Sequence, residues 1–297
     1  MEKMFKFLRK SRGERHKTAP AVTTGDTRVE LAITASVQSD VGCHREINED
    51  CSAYIDPGDG DLLSAKGRLV IVADGMGGHS AGEVASRMAV DIISREYYDS
   101  AEEPASALRR SFIAANREIH SNSTQVQTRT GMGTTCTALV LRDATAVSAH
   151  VGDSRLYLIR SGQIYLMTED HSAVNEMVKR GLLTREEARH HPDKNVILRA
   201  LGSHPEVEIS SWGEPFPIRG GDRFLLCSDG LYDLVEDKEI MQAVLAADVH
   251  SACAELISLA KDRGGYDNIT VAVVGVGVDG PTASSDIRQT REAQVVV

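Results

Sequence analysis

Residues 69–86 read LVIVADGMGGHSAGEVAS. The apolar run Leu69–Ala73 leads into Asp74 and Gly75, Gly77 and Gly78 follow, and helical spacing begins near Glu83. The pattern predicts a buried strand, a tight glycine turn and then a helix. Such a turn sets Asp74 at the lip of a buried element, where a carboxylate can reach a metal ion. Gly75 lets its own carbonyl approach the same ion, because no Cβ stands in the way. Taken alone, the stretch reads equally well as an ordinary acidic turn.

Other parts of the chain weigh against that plainer reading. Residues 221–231, GDRFLLCSDGL, repeat the arrangement, with apolar Phe224–Cys227 ending in Asp229 and Gly230. Residues 264–275, GGYDNITVAVVG, put Asp267 just before the apolar run Ile269–Val274. In residues 145–160, TAVSAHVGDSRLYLIR, a strand pauses at Gly152 and Asp153 and then resumes, with a partner strand from Gln163. A turn acid is most often only a turn residue, but beside the other acids Asp153 becomes a metal candidate. Residues 39–50, SDVGCHREINED, bring Arg45, Glu49 and Asp50. The planar guanidinium of Arg45 suits phosphate oxygens, and the two acids suit water held around an ion. The alternative is a solvated hairpin loop in which Arg45 pairs with Glu49 or Asp50.

Composition narrows the function classes. The 297 residues are 41% apolar, enough for a sizeable core in one large domain or two small ones. A net charge of -10 argues against nucleic acid as a partner and suits clustered acids that hold cations. The five cysteines, Cys43, Cys51, Cys136, Cys227 and Cys253, are odd in number and form no CxxC pair. That speaks against a disulfide scaffold and a four-cysteine zinc site, and for a reduced, cytoplasmic protein. No apolar run approaches the ~18 residues of a membrane span. The start of the chain, Met1–Lys17, is rich in Lys and Arg around MFKFLRK. It reads as a basic arm without a fold of its own, with contact to an acidic membrane surface as the alternative. A linker follows, so residues 1–28 stand apart from a domain at 29–278. Residues 279–297 read as a polar tail, with a weak signal of order in the closing valines.

Between these landmarks, Val29–Ser39 and Cys51–Asp56 read as strands and Pro57–Gly67 as a turn-rich connection. Ala81–Tyr98 and Ala105–Ser121 have helical spacing, as do Leu234–Val244 and Ala252–Lys261. Residues 171–201 interrupt the strand pattern with weakly helical stretches and suit a mobile cover over a site. His171, His190 and His191 in this segment lack a convincing ligand set, which favours surface or local hydrogen-bonding roles over zinc. Many strands are not joined by single helices, so a regular βαβ series does not fit. The expected fold is an α+β sandwich with helices outside paired antiparallel sheets.

The motifs together carry a resemblance. SDVGCHREINED, VADGMGGHSAGEVAS, GTTCTALVL, AHVGDSRLYLIRSGQI, TEDHS, LLCSDGLYDLV and GYDNITV occur in the order found in the metal-dependent Ser/Thr protein phosphatases. The chain resembles the bacterial form of this PPM, or type 2C, family from Ser39 to Val271. The resemblance implies a four-layer α-β-β-α sandwich, with two central antiparallel sheets flanked by helix pairs. It implies two bridged Mn²⁺ or Mg²⁺ ions, often joined in bacterial members by a third. By position, Asp74 would bridge the two metals and Gly75 would offer its carbonyl. Asp229 and Asp267 would complete the direct set, and Glu49 and Asp50 would organise water around the ions. Asp153 matches the third-metal acid, Arg45 the phosphate-binding arginine, and residues 171–201 the variable flap.

The donor chemistry agrees with that assignment, because hard oxygen ligands suit Mg²⁺ or Mn²⁺ better than zinc. Two such ions ~3.5–4 Å apart acidify a shared water and clamp phosphate oxygens, so attack on the phosphate is direct, without a phosphoenzyme. One position departs from the family's eukaryotic members, which place a histidine after the metal-binding Asp-Gly. Here that residue is Met76, which has no proton to give. Water on the ions or nearby His79 is left as the candidate proton donor. The expected partners are phosphorylated proteins and the Ser/Thr kinase that makes them, and a monomer is expected.

Overall fold

Leu69–Ala73 shows no polar alternation because both faces of its strand are covered. Leu69, Ile71 and Ala73 pack with Ala85, Ala89, Ile93, Phe112 and Ile119 on one side. Val70 and Val72 pack with Leu158, Phe224, Leu226, Ala272 and Val274 on the other. Each of the large apolar side chains buried here contributes about 1.5–3 kcal/mol.

The protein is described by a computed structural model over residues 31–77, 81–278 and 294–296. Its strands are β1 (Leu31–Asp40), β2 (Asp50–Ile55), β3 (Arg68–Met76), β4 (Gly133–Thr134), β5 (Cys136–Arg142), β6 (Thr145–Val151), β7 (Arg155–Arg160), β8 (Gln163–Leu166), β9 (Ser210–Ser211), β10 (Phe216–Pro217), β11 (Arg223–Cys227), β12 (Ile269–Val278) and β13 (Gln294–Val296). Its helices are α1 (Gly60–Lys66), α2 (Ala81–Asp99), α3 (Pro104–Gln125), α4 (Ala173–Lys179), α5 (Arg185–Arg189), α6 (Asp229–Tyr232), α7 (Asp237–Ala246) and α8 (Val249–Asp262).

One sheet runs β1-β12-β11-β7-β8, and the other runs β10-β6-β5-β3-β2-β13, with β4 on β3 and β9 on β6. The two sheets meet face to face through Val70, Val72, Leu139, Leu156, Leu158 and Phe224. Helices α2 and α3 cover the outer face of the second sheet. Helices α7 and α8 cover the first through Ile240, Val244, Leu256 and Ala260, against Tyr157, Leu225, Val271 and Val273. The result is the expected α-β-β-α sandwich. Among the described residues, no helix is long and apolar enough to cross a membrane.

The period of two places the site. Val70 and Val72 face the inter-sheet core, and the same step puts Asp74 at the end of that face. On β2, Tyr54 packs against the same core and Asp50 lies two steps back along that face. The core between the sheets therefore ends in carboxylates.

Two segments differ from the sequence reading, and a third, the tail, shows more order than the weak signal of its closing valines. The turn-rich connection 57–67 contains α1, because the Asp59 side chain accepts the Asp61 and Leu62 N–H groups and caps the helix. The helical region expected from Leu234 begins later, at Asp237, and a separate short helix precedes it. The short α6 starts earlier, at Asp229, and α7 starts afresh at a capping box between Glu236 and Glu239. Asp229 thus opens a turn of helix rather than closing a strand. In the tail, Gln294–Val296 pairs antiparallel with β2 as an edge strand. The basic arm and most of the tail lie outside the described residues.

Gly230 sits where a Cβ would stand 2.0 Å from the Asn268 carbonyl oxygen. Gly230→Ala is therefore expected to cost about 1–3 kcal/mol by overpacking, seen as a lower urea midpoint. Gly213→Ala, where nothing lies within 4 Å of the added carbon, is expected to leave the midpoint in place.

Candidate metal centre and phosphate site

Asp50 and Asp74 are direct partners across β2 and β3. Like charges placed opposite each other in a sheet repel, so this pairing needs a compensating element. Asp50 is buried and accepts a hydrogen bond from Ser228 Oγ at 2.8 Å. Asp229, Asp153 and Asp267 approach from α6, the β6–β7 turn and the start of β12, and each raises the pKa of Asp74. Burial is the first cause of that rise and the neighbouring carboxylates the second. The same causes push Asp229 well above the usual carboxylate range. Burial pushes Asp50 up to about 6 and Asp153 up to about 7.

Side-chain and backbone clamps hold these acids. Asp74 N–H donates to Thr135 Oγ1 at 3.0 Å, and the Asp74 carbonyl accepts from Thr135 N–H and Thr134 Oγ1, each at 2.9 Å. At Gly75 a Cβ would stand 2.1 Å from the Gly82 carbonyl oxygen and 2.5 Å from that of Glu49. The start of α2 therefore packs directly on the end of β3. Glu49 accepts a backbone hydrogen bond from Gly82 near the start of α2, where the helix dipole favours an anion. Asn268 is buried and fully used: Nδ2 donates to the Val41 and Ile47 carbonyls, both at 3.0 Å, and Oδ1 accepts Glu49 N–H at 2.8 Å. Arg45 donates to Asp267 Oδ2 at 2.7 Å and lies 4.0 Å from Glu49, with its side chain 47% exposed. Its main partner is thus Asp267, neither of the two acids weighed from sequence.

Asp153 is fixed from the far side by His171. Gly152 N–H donates to His171 Nδ1 at 3.1 Å, and His171 N–H donates back to the Gly152 carbonyl at 2.8 Å. The ring proton is therefore on Nε2, which donates to Ser210 Oγ at 2.9 Å. Burial pushes the pKa of His171 down to about 3 and that of its neighbour His150, whose ring is tilted against it, down to about 4, so both rings are neutral. His171 has the local hydrogen-bonding role expected of it. Beside this clasp, a cavity of about 270 Å³ runs under residues 171–201, lined by Asp153, Arg155, Asp170, Asn175, Lys194 and Tyr232.

The structure thus brings Asp50, Asp74, Asp153, Asp229 and Asp267 to one end of the sandwich, with Glu49 and Arg45 at its rim. His79 lies outside the described residues. Thr135, Ser228, Asn268 and His171 are supports that the sequence reading did not single out. For Asn268 a signal existed, an Asn beside the acid just before a strong strand.

Comparison with known proteins identifies the family and the fold. A family model described as protein phosphatase 2C matches residues 57–265. The chain belongs to the protein phosphatase 2C family. A serine/threonine phosphatase, stp, of Listeria monocytogenes is 39% identical over 246 residues, which cover 81% of this chain and 94% of the relative. The crystal structure of the Mycobacterium tuberculosis serine/threonine phosphatase PstP/Ppp matches with a TM-score of 0.74 at 37% identity, covering 82% of this chain and 99% of that one. A PstP catalytic domain solved with two manganese ions matches with a TM-score of 0.73 at 37% identity, covering 83% and 99%. This chain is accordingly a serine/threonine protein phosphatase.

One buried atom tests whether the phosphatase's acids suit a divalent cation. Asp229 Oδ1 is buried and has no hydrogen-bond partner. Native proteins seldom tolerate such an orphan, and a cation is a standard partner for one. The surrounding donors are oxygens, as Mn²⁺ and Mg²⁺ prefer. Among the described residues, no three Asp, Glu, His or Cys side chains already close round a common point. The acids are neighbours rather than a finished ligand shell.

The raised pKa of Asp153 sets a pH dependence. Its carboxyl is easier to protonate in the folded chain than in the unfolded one, where the usual value is 3.8. That contribution to stability is complete below about 4 and is lost as pH rises to about 7. In EDTA, the urea midpoint of the wild type should therefore fall relative to that of Asp153→Asn across this window, and the gap should stay constant above it.

Proposed function

We propose that the phosphatase hydrolyses phosphoserine and phosphothreonine at a binuclear Mn²⁺ or Mg²⁺ centre. Asp74, the Gly75 carbonyl, Asp229 and Asp267 would hold the pair, and Asp153 would serve a third ion. The observation that carries this reading is the orphaned Asp229 Oδ1 among carboxylates whose pKa values burial and mutual repulsion raise. When bound, the ions neutralise these carboxylates, acidify water and polarise the phosphoryl oxygens.

The chain's own groups do the rest. Arg45 has five N–H donors and is steadied by Asp267, which orients its fork toward a phosphate at the exposed rim. Glu49 and Asp50 order water between the metals and the rim. The buried thiols do not compete as nucleophiles, because burial pushes the Cys51 thiol up to about 12 and those of Cys136 and Cys227 higher still. Water therefore attacks phosphorus directly, and the serine or threonine oxygen leaves. Met76 supplies no proton to that oxygen, so the role falls to water at the centre or to His79. The substrates are phosphoproteins made by a cytoplasmic Ser/Thr kinase.

Release of phosphate from a phosphothreonine peptide should need Mn²⁺, stop in EDTA and return when Mn²⁺ is restored. Asp229→Asn should lower kcat/KM by about 100-fold or more, beyond the usual effect of outer partners at a metal site. Activity that survives both EDTA and Asp229→Asn contradicts the proposal. Arg45→Ala should raise KM on small phosphoesters by about tenfold, with Mn²⁺ affinity near that of the wild type by calorimetry. Unchanged KM together with a lowered urea midpoint would mean that Arg45 serves only the fold.

A further inference from the structure

Two rings at the rim take no part in the core. His44 and Tyr266 are stacked, with centroids 5.1 Å apart and planes 30° from parallel. Tyr266 is 62% exposed and Ile47, on the same loop as His44, is 44% exposed. A stack so open to water adds little to folding, yet it is rigidly built. Gly264 has φ +123°, and a Cβ there would stand 2.5 Å from Tyr266 Cζ, so the ring folds over a bare backbone. The two loops are locked together: Cys43 N–H donates to the Gly265 carbonyl at 2.7 Å, and Asn268 ties down Val41 and Ile47. Gly42, with φ +80°, leaves no room for a Cβ, which would stand 2.2 Å from the Asp267 carbonyl oxygen.

The position of the stack gives it a use. His44 precedes Arg45 and Tyr266 precedes Asp267, and Arg45 is bonded to Asp267. The backbone positions that carry the rings are thus one Cα step, about 3.8 Å, from those that carry the pair proposed to receive the phosphate. An extended peptide advances about 3.3 Å per residue, so the nearest neighbours of a phosphothreonine held at Arg45 reach these rings. We propose that His44 and Tyr266, with Ile47, form a platform for an apolar side chain next to the phosphoresidue, and so set substrate preference. The inference rests on Arg45 as the phosphate site. An apolar side chain such as Leu gains by burying its surface on the rings, a gain that Gly lacks and that a charged side chain offsets by desolvation.

The test uses the full chain with Mn²⁺ and phosphothreonine peptides that differ only beside the phosphoresidue, with Leu, Gly, Asp or Arg there. The wild type should favour Leu over Gly by about fivefold in kcat/KM, a size in keeping with the burial of roughly one methylene group on the rings. The gain should lie mainly in KM. His44→Ala and Tyr266→Ser should each bring the ratio close to one, and Tyr266→Phe, which keeps the ring, should retain it. Equal use of Leu and Gly by the wild type, or a ratio unmoved in both ring-removing variants, overturns the proposal. A preference for Arg that vanishes in those variants overturns the apolar assignment and makes the stack a cation platform. A Leu preference lost in the ring variants but kept in Arg45→Ala refutes the phosphate site while leaving the platform. A wild type inactive on every peptide removes both.

Discussion

Asp50 and Asp74 stand opposite each other across two buried strands, with three more carboxylates close by. The site depends on this concentration of negative charge. Carboxylates held out of water are costly unless they are protonated, hydrogen-bonded or paired with a cation. The protein uses hydrogen bonds for some of them, as at Asp50 with Ser228. For Asp229 Oδ1 it uses none. A divalent cation, as proposed, would satisfy what the side chains leave over.

The sandwich makes that arrangement possible. Its inter-sheet core is apolar through Val70, Val72, Phe224, Leu226 and Ala272, and its period of two delivers acids at the end of the same face. Rigidity comes from close backbone approaches and from side chains that clamp backbone. Gly75 and Gly230 allow contacts that a methyl group would block. Asn268 and His171 each bind several chain segments at once, and so place the rim loop and the Asp153 turn. A catalytic centre tolerates little play, and these contacts hold the acids while the segment over the site keeps its own helices and loops.

Much of this was legible in the sequence, and the reason is local. An apolar run followed by Asp-Gly shows in a few residues where burial gives way to an acid, as at Asp74 and Asp229, although β3 runs on through Asp74 and Gly75 to Met76 and Asp229 opens α6; helical spacing is equally local in α2, α3 and α8. The supports were not legible, because their meaning lies in partners far along the chain. Asn268 clamps a loop more than 200 residues earlier, and Arg45 finds Asp267 rather than the acids beside it. The two-residue strands β9 and β10 are too short to show a period. Helix α1 was hidden in a stretch rich in Gly and Asp, where Asp59 works as a cap rather than as a turn residue.

The most direct measurement is an anomalous difference map from crystals of the phosphatase soaked in Mn²⁺, collected at the manganese edge. The account predicts two strong peaks among Asp74, Asp229 and Asp267, within coordination distance of Asp229 Oδ1 and the Gly75 carbonyl, and a weaker third beside Asp153. Peaks absent from this end of the sandwich, in protein active under the same Mn²⁺ concentration, would contradict it.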